Sequence, residues 1–385
     1  MTKPASTLNI AFVVPTLHGG GAEFVARTWM GWLIAQGHRV TVITTAAKGT
    51  DESTRKHLPA GVAFATVSAA SGQVGKARAM AAALARLKPD VAVALQAYAN
   101  LVLIAAARSM GASRPPVIIS ERNLVSLGLK GADINHRAKV FAARQMYRLA
   151  DHVIAISHPV AGELVSGFHV DGERITVVAN PATAKVTPGV FVNRTPGLAA
   201  GVQIVLPCRL VRQKRPQLAI TTARELMDRG HAVEVISFGG GPLEKQLIDQ
   251  AHALGVTFRS MGWVENWFEH FAPNAVVLLP SDREGFGNVL VEAAAARVPS
   301  VAVSGALGVA DAIVPGITGE LALTAAPSDL ANAVERASEL RVTGIDSWLD
   351  RFSPESSGRD LLRVIELTIA KATVDRGANS GKAPL

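Results

Sequence analysis

The sequence predicts an α/β protein built from two Rossmann-like, doubly wound parallel-sheet domains. Three observations carry that expectation. Short apolar, β-branched runs alternate with longer stretches of helical period, the pattern of βαβ units. The alternation stops at a proline-bearing segment without clear period, residues 183–200, and then begins again. The chain has 385 residues, too many for one ordinary domain and ample for two.

Taken in order, strands are expected at 9–14, 39–44, 91–95, 116–120, 152–156 and 175–178. Helices are expected between them at 22–36, 74–87 and 136–149. Asn180-Pro181 closes this first domain, whose boundary is set at 1–182. After the linker, the second domain is expected over 201–352, with strands at 202–208, 232–238, 256–261, 275–279 and 300–304. Its helices fit 216–229, 242–254, 288–296 and 327–339. A terminal helix is expected over 353–372, followed by a disordered tail, 373–385. Sheets of this kind bind ligands at the carboxyl ends of their strands, so a cleft between the two domains is the expected site.

Composition narrows the class of function. Nearly half the residues are apolar, 49%, which excludes global disorder. One cysteine, Cys208, excludes an intramolecular disulfide and fits a reducing, cytoplasmic compartment. Following Val205 and Leu206, it reads as a core position rather than a nucleophile. No secretory leader is read at the start. The longest apolar stretch, 91–107, is interrupted by Gln96 and Asn100 and is too short and polar to span a bilayer. Residues 1–200 hold 21 Lys and Arg against 10 Asp and Glu, whereas residues 201–385 hold 18 against 21. The basic first half would be drawn to an anionic surface such as the inner face of the cytoplasmic membrane. Helices 136–149 and 74–87, with cations among apolar residues, could lie on such a leaflet or simply solvate the outer faces of core helices. No cluster with metal-ligand spacing is read, and no nucleic-acid partner is expected.

The sharpest motif is SDREGFGNVLVEAAAARVPSVA, residues 281–302. Glu284 follows a strand end and Glu292 falls about one turn into the helix starting at Asn288. Gly285 and Gly287 bare the backbone amides, and a helix N-terminus suits a diphosphate. Carboxylates accept paired hydrogen bonds from adjacent hydroxyls, so this pair suits a nucleotide sugar, one for the hexose and one for the ribose. Spacing alone would be weak; the context supplies the strength. The second motif is LPCRLVRQKRP, residues 206–216, where Arg209 and Lys214 can neutralise a diphosphate as it departs. Arg212 and Arg215 lie nearby, so a merely basic exposed loop would look similar. The third is PTLHGGGAEF, residues 15–24, where Gly20 and Gly21 allow close approach of backbone to ligand. It is not the dinucleotide fingerprint, and the second strand ends in Thr44 rather than an acidic residue, which disfavours an NAD-dependent oxidoreductase. Gly240 lies in a similar donor-side glycine turn, FGGGPL, ending in a proline suited to a helix's first turn, and Gly262-Trp263, in MGWVEN, follows another strand end and could frame a nucleobase; structural turns would look the same in both cases.

In this order the motifs resemble the retaining glycosyltransferases of family 4, of the GT-B fold, from Asn9 to about Ile369. The resemblance implies sugar transfer from a nucleotide donor, with retention, without a cofactor and without a metal. It further implies that Arg209 and Lys214 hold the diphosphate, Glu284 the hexose and Glu292 the ribose. Backbone amides around Gly285, Phe286, Gly287, Asn288, Val289 and Leu290 would hold sugar and phosphate, with Gly20-Gly21 approaching from the opposing domain. The terminal helix would cross back to the first domain. In many members a histidine follows the strand at 116–120; here the residues are Ser120-Glu121-Arg122-Asn123. This tetrapeptide resembles a subgroup building bacterial surface glycans, often from UDP-N-acetylhexosamines. Glu121 or Arg122 is expected to line the reaction centre, although Ser120-Glu121 could equally begin a helix. The acceptor is expected to be a glycan or lipid-linked intermediate of surface polysaccharide synthesis. A hydrolysing nucleotide-sugar 2-epimerase of similar fold and a sugar-binding partner without catalysis remain alternatives.

Overall fold

A computed structural model describes all residues except 1–5, 46–50, 68, 130–132, 188, 190–192 and 381–385, with the side chains of 376–380 also outside the description. The chain divides into two compact units, Met1–Pro181 with Pro354–Leu385, and Ala182–Ser353.

The first unit runs β1 (Asn9–Val14), α1 (Gly21–Ala35), β2 (Arg39–Thr44), α2 (Asp51–Lys56), β3 (Ala63–Thr66), α3 (Gly72–Leu87) and β4 (Val91–Leu95). It continues through α4 (Ala97–Ser109), β5 (Val117–Glu121), α5 (Ile134–Met146), β6 (His152–Ala155), α6 (His158–Phe168) and β7 (Ile175–Val177). The seven strands are all parallel in the order β3-β2-β1-β4-β5-β6-β7. Sequence NIAFVV of β1 and VAVAL of β4 are apolar without alternation because helices cover both faces of a parallel sheet.

The second unit runs β8 (Val202–Leu206), α7 (Gln217–Asp228), β9 (Val233–Ser237), α8 (Glu244–Ala253), β10 (Thr257–Ser260), β11 (Ala275–Leu279) and α9 (Asn288–Ala295). It ends with β12 (Ser300–Val303), β13 (Gly319–Ala322), α10 (Pro327–Ser338) and α11 (Asp346–Asp350). Its six parallel strands take the order β10-β9-β8-β11-β12-β13. In both sheets the winding reverses beside the first strand, between β1 and β4 and between β8 and β11, the position where such sheets leave a crevice at their carboxyl ends.

The last helix, α12 (Pro354–Ser380), returns to the first unit. Its Leu361, Val364 and Ile365 join the core formed by Trp29, Met30 and Leu33 of α1 with β1, β2 and β4. The helix continues through Ser380, so the expected tail 373–385 is helical over most of its length. The expected linker begins inside the second unit, where Ala182–Lys185 forms a 3-10 turn.

Sequence reading missed two strands and two substantial helices. Strands β3 (AFAT) and β13 (GELA) lie at sheet edges and lack the apolar run of buried strands. The apolar stretch 91–107 is β4 followed by α4, divided at Gln96, which a continuous hydrophobic signal hides. Helix α6 was masked by its glycines; Ser157 caps it by accepting from the Val160 amide at 3.3 Å. Among the described residues, no helix is long and apolar enough to cross a membrane.

Candidate active site

In the second unit, topology brings together residues about seventy positions apart. The loop after β8 and the loop after β11 leave adjacent strands at the switch point. Arg215 fixes the two loops to each other: its guanidinium donates to the Pro280 carbonyl at 2.9 Å and the Ser281 carbonyl at 2.8 Å. Gln213 adds two bonds, donating from Nε2 to the Arg283 carbonyl at 3.1 Å and accepting at its own carbonyl from the Asp282 amide at 2.8 Å. Arg215 is therefore a staple rather than part of a solvated basic face.

Across this seam Lys214 Nζ donates to Glu284 Oε1 at 2.5 Å, and Ser281 Oγ donates to the same oxygen at 2.6 Å. Both charged side chains are largely buried, at 17% and 9% exposure, so the pair is screened less than a surface ion pair. Arg209, by contrast, is exposed, and among the described residues its guanidinium has no hydrogen-bond or ion-pair partner. Cys208 sits beneath them. Burial pushes its thiol up to about 12, against the pull of Lys214 and Arg209. A protonated, buried thiol matches the expected core position and is no nucleophile.

Glycines set the shape of the β8 loop. A Cβ at Gly239 would fall 2.2 Å from the Cys208 carbonyl oxygen, and one at Gly241 would fall 2.4 Å from that of Leu210. Gly240, the member singled out from sequence, has open space and contributes its carbonyl to the Leu210 amide at 3.1 Å. Steric need thus falls on its two neighbours. Gly262 lies at φ +65°, and Trp263 beside it is 77% exposed.

Helix α9 begins after Gly287, whose φ of +102° requires glycine. Phe286 is buried and meets Phe352 at 5.5 Å between ring centres; Leu290 is buried and Val289 is packed against a core cluster. These three can offer a ligand only main-chain groups. The Leu290 amide donates to the Gly287 carbonyl at 2.9 Å, and the positive end of the helix dipole gives α9 an anion-attracting start. Glu292, one turn on, has no exposed surface. Its Oε1 accepts from Lys185 Nζ at 3.0 Å and its Oε2 from Trp267 Nε1 at 3.1 Å. Neither partner was found by sequence reading, because Lys185 falls in the supposed linker and Trp267 reads as an ordinary aromatic.

In the first unit the glycine turn precedes α1. Gly19 has φ +113°, Gly20 occupies the cap position without a side-chain bond, and residues 18–21 are exposed. Glu23, in the first turn, accepts from Gln96 Nε2 at 2.6 Å. Gln96 itself stands at the end of β4 at φ 76° and ψ 144°, a region that side chains rarely enter.

Glu121 and Arg122 end β5 and point to different surroundings. Glu121 is buried; its Oε1 accepts from the Arg122 and Asn123 amides at 2.8 and 3.2 Å, and its Oε2 from the Tyr147 hydroxyl at 2.6 Å. Burial raises its carboxyl above the ordinary range, and the three donors offset part of that rise. The Arg122 guanidinium donates to Ser120 Oγ at 3.2 Å and to Asn180 Oδ1, and lies 5.3 Å above the Trp29 ring. Burial lowers it to about 9. Glu121 is thus the internal acceptor of its own loop, whereas Arg122 joins that loop to the end of the unit's first segment.

Comparison with known proteins agrees with this architecture. Residues 19–184 match the profile described as Glycosyltransferase Family 4, and residues 201–339 that of Glycosyl transferases group 1. A D-inositol 3-phosphate glycosyltransferase of Gordonia bronchialis is 33% identical over 217 residues, 52% of this chain and 47% of the relative. A 2-deoxystreptamine N-acetyl-D-glucosaminyltransferase of Niallia circulans is 30% identical over 135 residues, 34% of this chain and 33% of the relative. The chain therefore spans about half, or less, of the length of these curated relatives. Among solved structures, the apo lipopolysaccharide outer core galactosyltransferase WaaB has a TM-score of 0.72 at 18% identity, covering 92% of this chain and 98% of its own. Anabaena Alr3699/HepE, in complex with UDP and glucose, has a TM-score of 0.64 at 18% identity, covering 98% of this chain and all of its own, 100%. With one profile matching each unit and the fold shared with these structures, the chain carries a family 4 glycosyltransferase domain in its first unit and a group 1 glycosyltransferase domain in its second, together forming the GT-B fold.

Proposed function

We propose that this protein is a retaining glycosyltransferase that moves a hexose or N-acetylhexosamine from a UDP-sugar to an acceptor hydroxyl. The observation that carries the reading is the buried Lys214–Glu284 pair beside exposed Arg209, next to the glycine-framed start of α9. Lys214 has three N–H donors and uses one on Glu284, so two remain for phosphate oxygens. Glu284 accepts the hexose hydroxyls on lone pairs left by Lys214 and Ser281. Glu292, which has no exposed surface while Lys185 and Trp267 cover it, accepts the ribose once the Lys185 ammonium swings off its Oε1. The UDP and glucose bound by the similarly folded HepE suit this choice of donor.

In the reaction the acceptor oxygen bonds to the anomeric carbon as the bond from that carbon to the diphosphate breaks. The electron pair leaves with the diphosphate, and the acceptor proton passes to a leaving phosphate oxygen on the same face. Arg209, Lys214 and the α9 N-terminus stabilise the charge that builds there, with no resident metal in the scheme. The first unit would receive the acceptor, read as a lipid-linked glycan intermediate. Exposed Ile134 and Phe141 on α5, set among Arg137, Lys139, Arg144 and Arg148, support peripheral contact with an anionic leaflet.

The test combines isothermal titration of UDP with turnover of UDP-sugars. Lys214→Ala is expected to lower kcat by about 100-fold or more, the scale of losing one transition-state charge stabiliser. Glu292→Ala should weaken binding of free UDP, whereas Glu284→Ala should spare UDP and lose the added affinity of the sugar. Unchanged turnover in Lys214→Ala, or wild-type UDP binding in both glutamate variants, rules the reading out.

A further inference from the structure

Leu307 holds a backbone conformation that leucine rarely adopts. It lies at φ 58° and ψ −66°, the γ-turn region of positive φ, which is strained for any residue with a side chain. Its surroundings enforce that geometry. The Glu284 amide donates to the Ala306 carbonyl at 3.0 Å, and Glu284 pairs with Leu307 in an isolated parallel bridge. The Leu307 amide donates to Ser304, and its carbonyl accepts from Ala310, at 3.1 and 3.0 Å. Next to it, a Cβ on Gly308 would fall 2.3 Å from the Glu284 carbonyl oxygen and 2.4 Å from that of Gly285. The segment 306–308 is therefore pressed flush against the backbone that carries Glu284.

Packing does not explain a leucine here. The side chain is 43% exposed and belongs to none of the core clusters found among the described residues. A glycine would take the same φ and ψ without strain and leave the neighbouring contacts intact. A strained, exposed, apolar residue in the turn whose backbone bridges to that of Glu284 is the kind of outlier that marks a ligand contact.

We infer that Leu307 is a specificity-determining residue of the donor site, an apolar wall that selects a sugar bearing an acylamino group over the parent hexose. The inference rests on the reading of Glu284 as the sugar-binding carboxylate. A hexose presents hydroxyls around its ring, to which leucine offers no partner and from which it takes a hydration site. An acylamino substituent presents a methyl group that leucine can cover. Contacts of one methyl or methylene discriminate by roughly 10- to 200-fold.

The experiment measures affinities of the full chain for UDP, UDP-N-acetylglucosamine and UDP-glucose, with thermal melting alongside. Wild type is expected to bind the N-acetylated sugar at least about tenfold more tightly than the hexose. Leu307→Met should keep that ratio, and both Leu307→Gly and Leu307→Ser should reduce it to about threefold or less. Leu307→Gly should melt no lower than wild type, since it relieves the strain. Equal wild-type affinity for the two sugars, or an unchanged ratio in Leu307→Gly and Leu307→Ser, overturns the inference while leaving UDP binding intact. A wild type that binds no UDP overturns the donor-site reading first, and this inference with it.

Discussion

At the scale of single residues, environment decides what a given side chain can do. Glu284 and Glu292 share a motif and a sequence spacing, yet one lies beside a lysine and a serine and the other is sealed between a lysine and an indole. Glu121 shows the same principle: three hydrogen bonds commit it to its own loop. His152 gives a measurable case away from the site. Its Nε2 bonds with Thr176 Oγ1 at 2.9 Å, and burial, together with the charge of Lys371, lowers its imidazole to about 4. The folded form therefore binds fewer protons than the unfolded form between about pH 6.5, the ordinary histidine value, and pH 4. Stability should fall as pH drops through that window. Denaturant melts of wild type and His152→Gln at several pH values should show a shallower fall in the variant; equal slopes would assign the acid sensitivity elsewhere.

At the scale of elements, close approach of backbone does what side chains cannot. Helix α12 docks on α1 through Gly358, where a Cβ would sit 2.3 Å from Cδ2 of Trp32. Trp29 Nε1 donates to Ser357 Oγ at 2.8 Å, and that hydroxyl donates to the Ala179 carbonyl at 2.5 Å. Two effects oppose each other in Gly358→Ala. Helix propensity would gain up to about 1 kcal/mol, while overpacking against an indole costs about 1–3 kcal/mol. The clash should win, lowering the melting temperature by several degrees. A variant as stable as wild type would show that the α12 docking is looser than the structure indicates.

At the scale of the molecule, two units carry separate cores, and only the first is built from two chain segments. Leu361, Val364 and Ile365 supply part of the core around Trp29, Met30 and Leu33, so a chain ending at residue 353 would expose that face. Calorimetry of the shortened chain should show the first unit's transition lowered or lost and the second unit's retained. Loss of both transitions together would mean that the second unit depends on the first. The charge difference between the halves follows the same division, with the cations of α3 and α5 all in the first unit.

Much of this was legible in the amino-acid order. Continuous apolar runs in β1, β4 and β11 marked both their positions and their parallel, doubly covered character, because burial on two faces removes alternation. Glycines and charges in 206–216 and 281–292 located a candidate donor site, since local backbone freedom and anion-binding groups are written residue by residue. Edge strands β3 and β13 were not legible, because partial exposure erases the hydrophobic signal. Nor were the partners of Glu292, the positive φ of Leu307, or the commitment of Glu121 to Tyr147. Those depend on which distant segments a side chain or turn meets. Distance along the chain carries no such information, and only tertiary structure decides it.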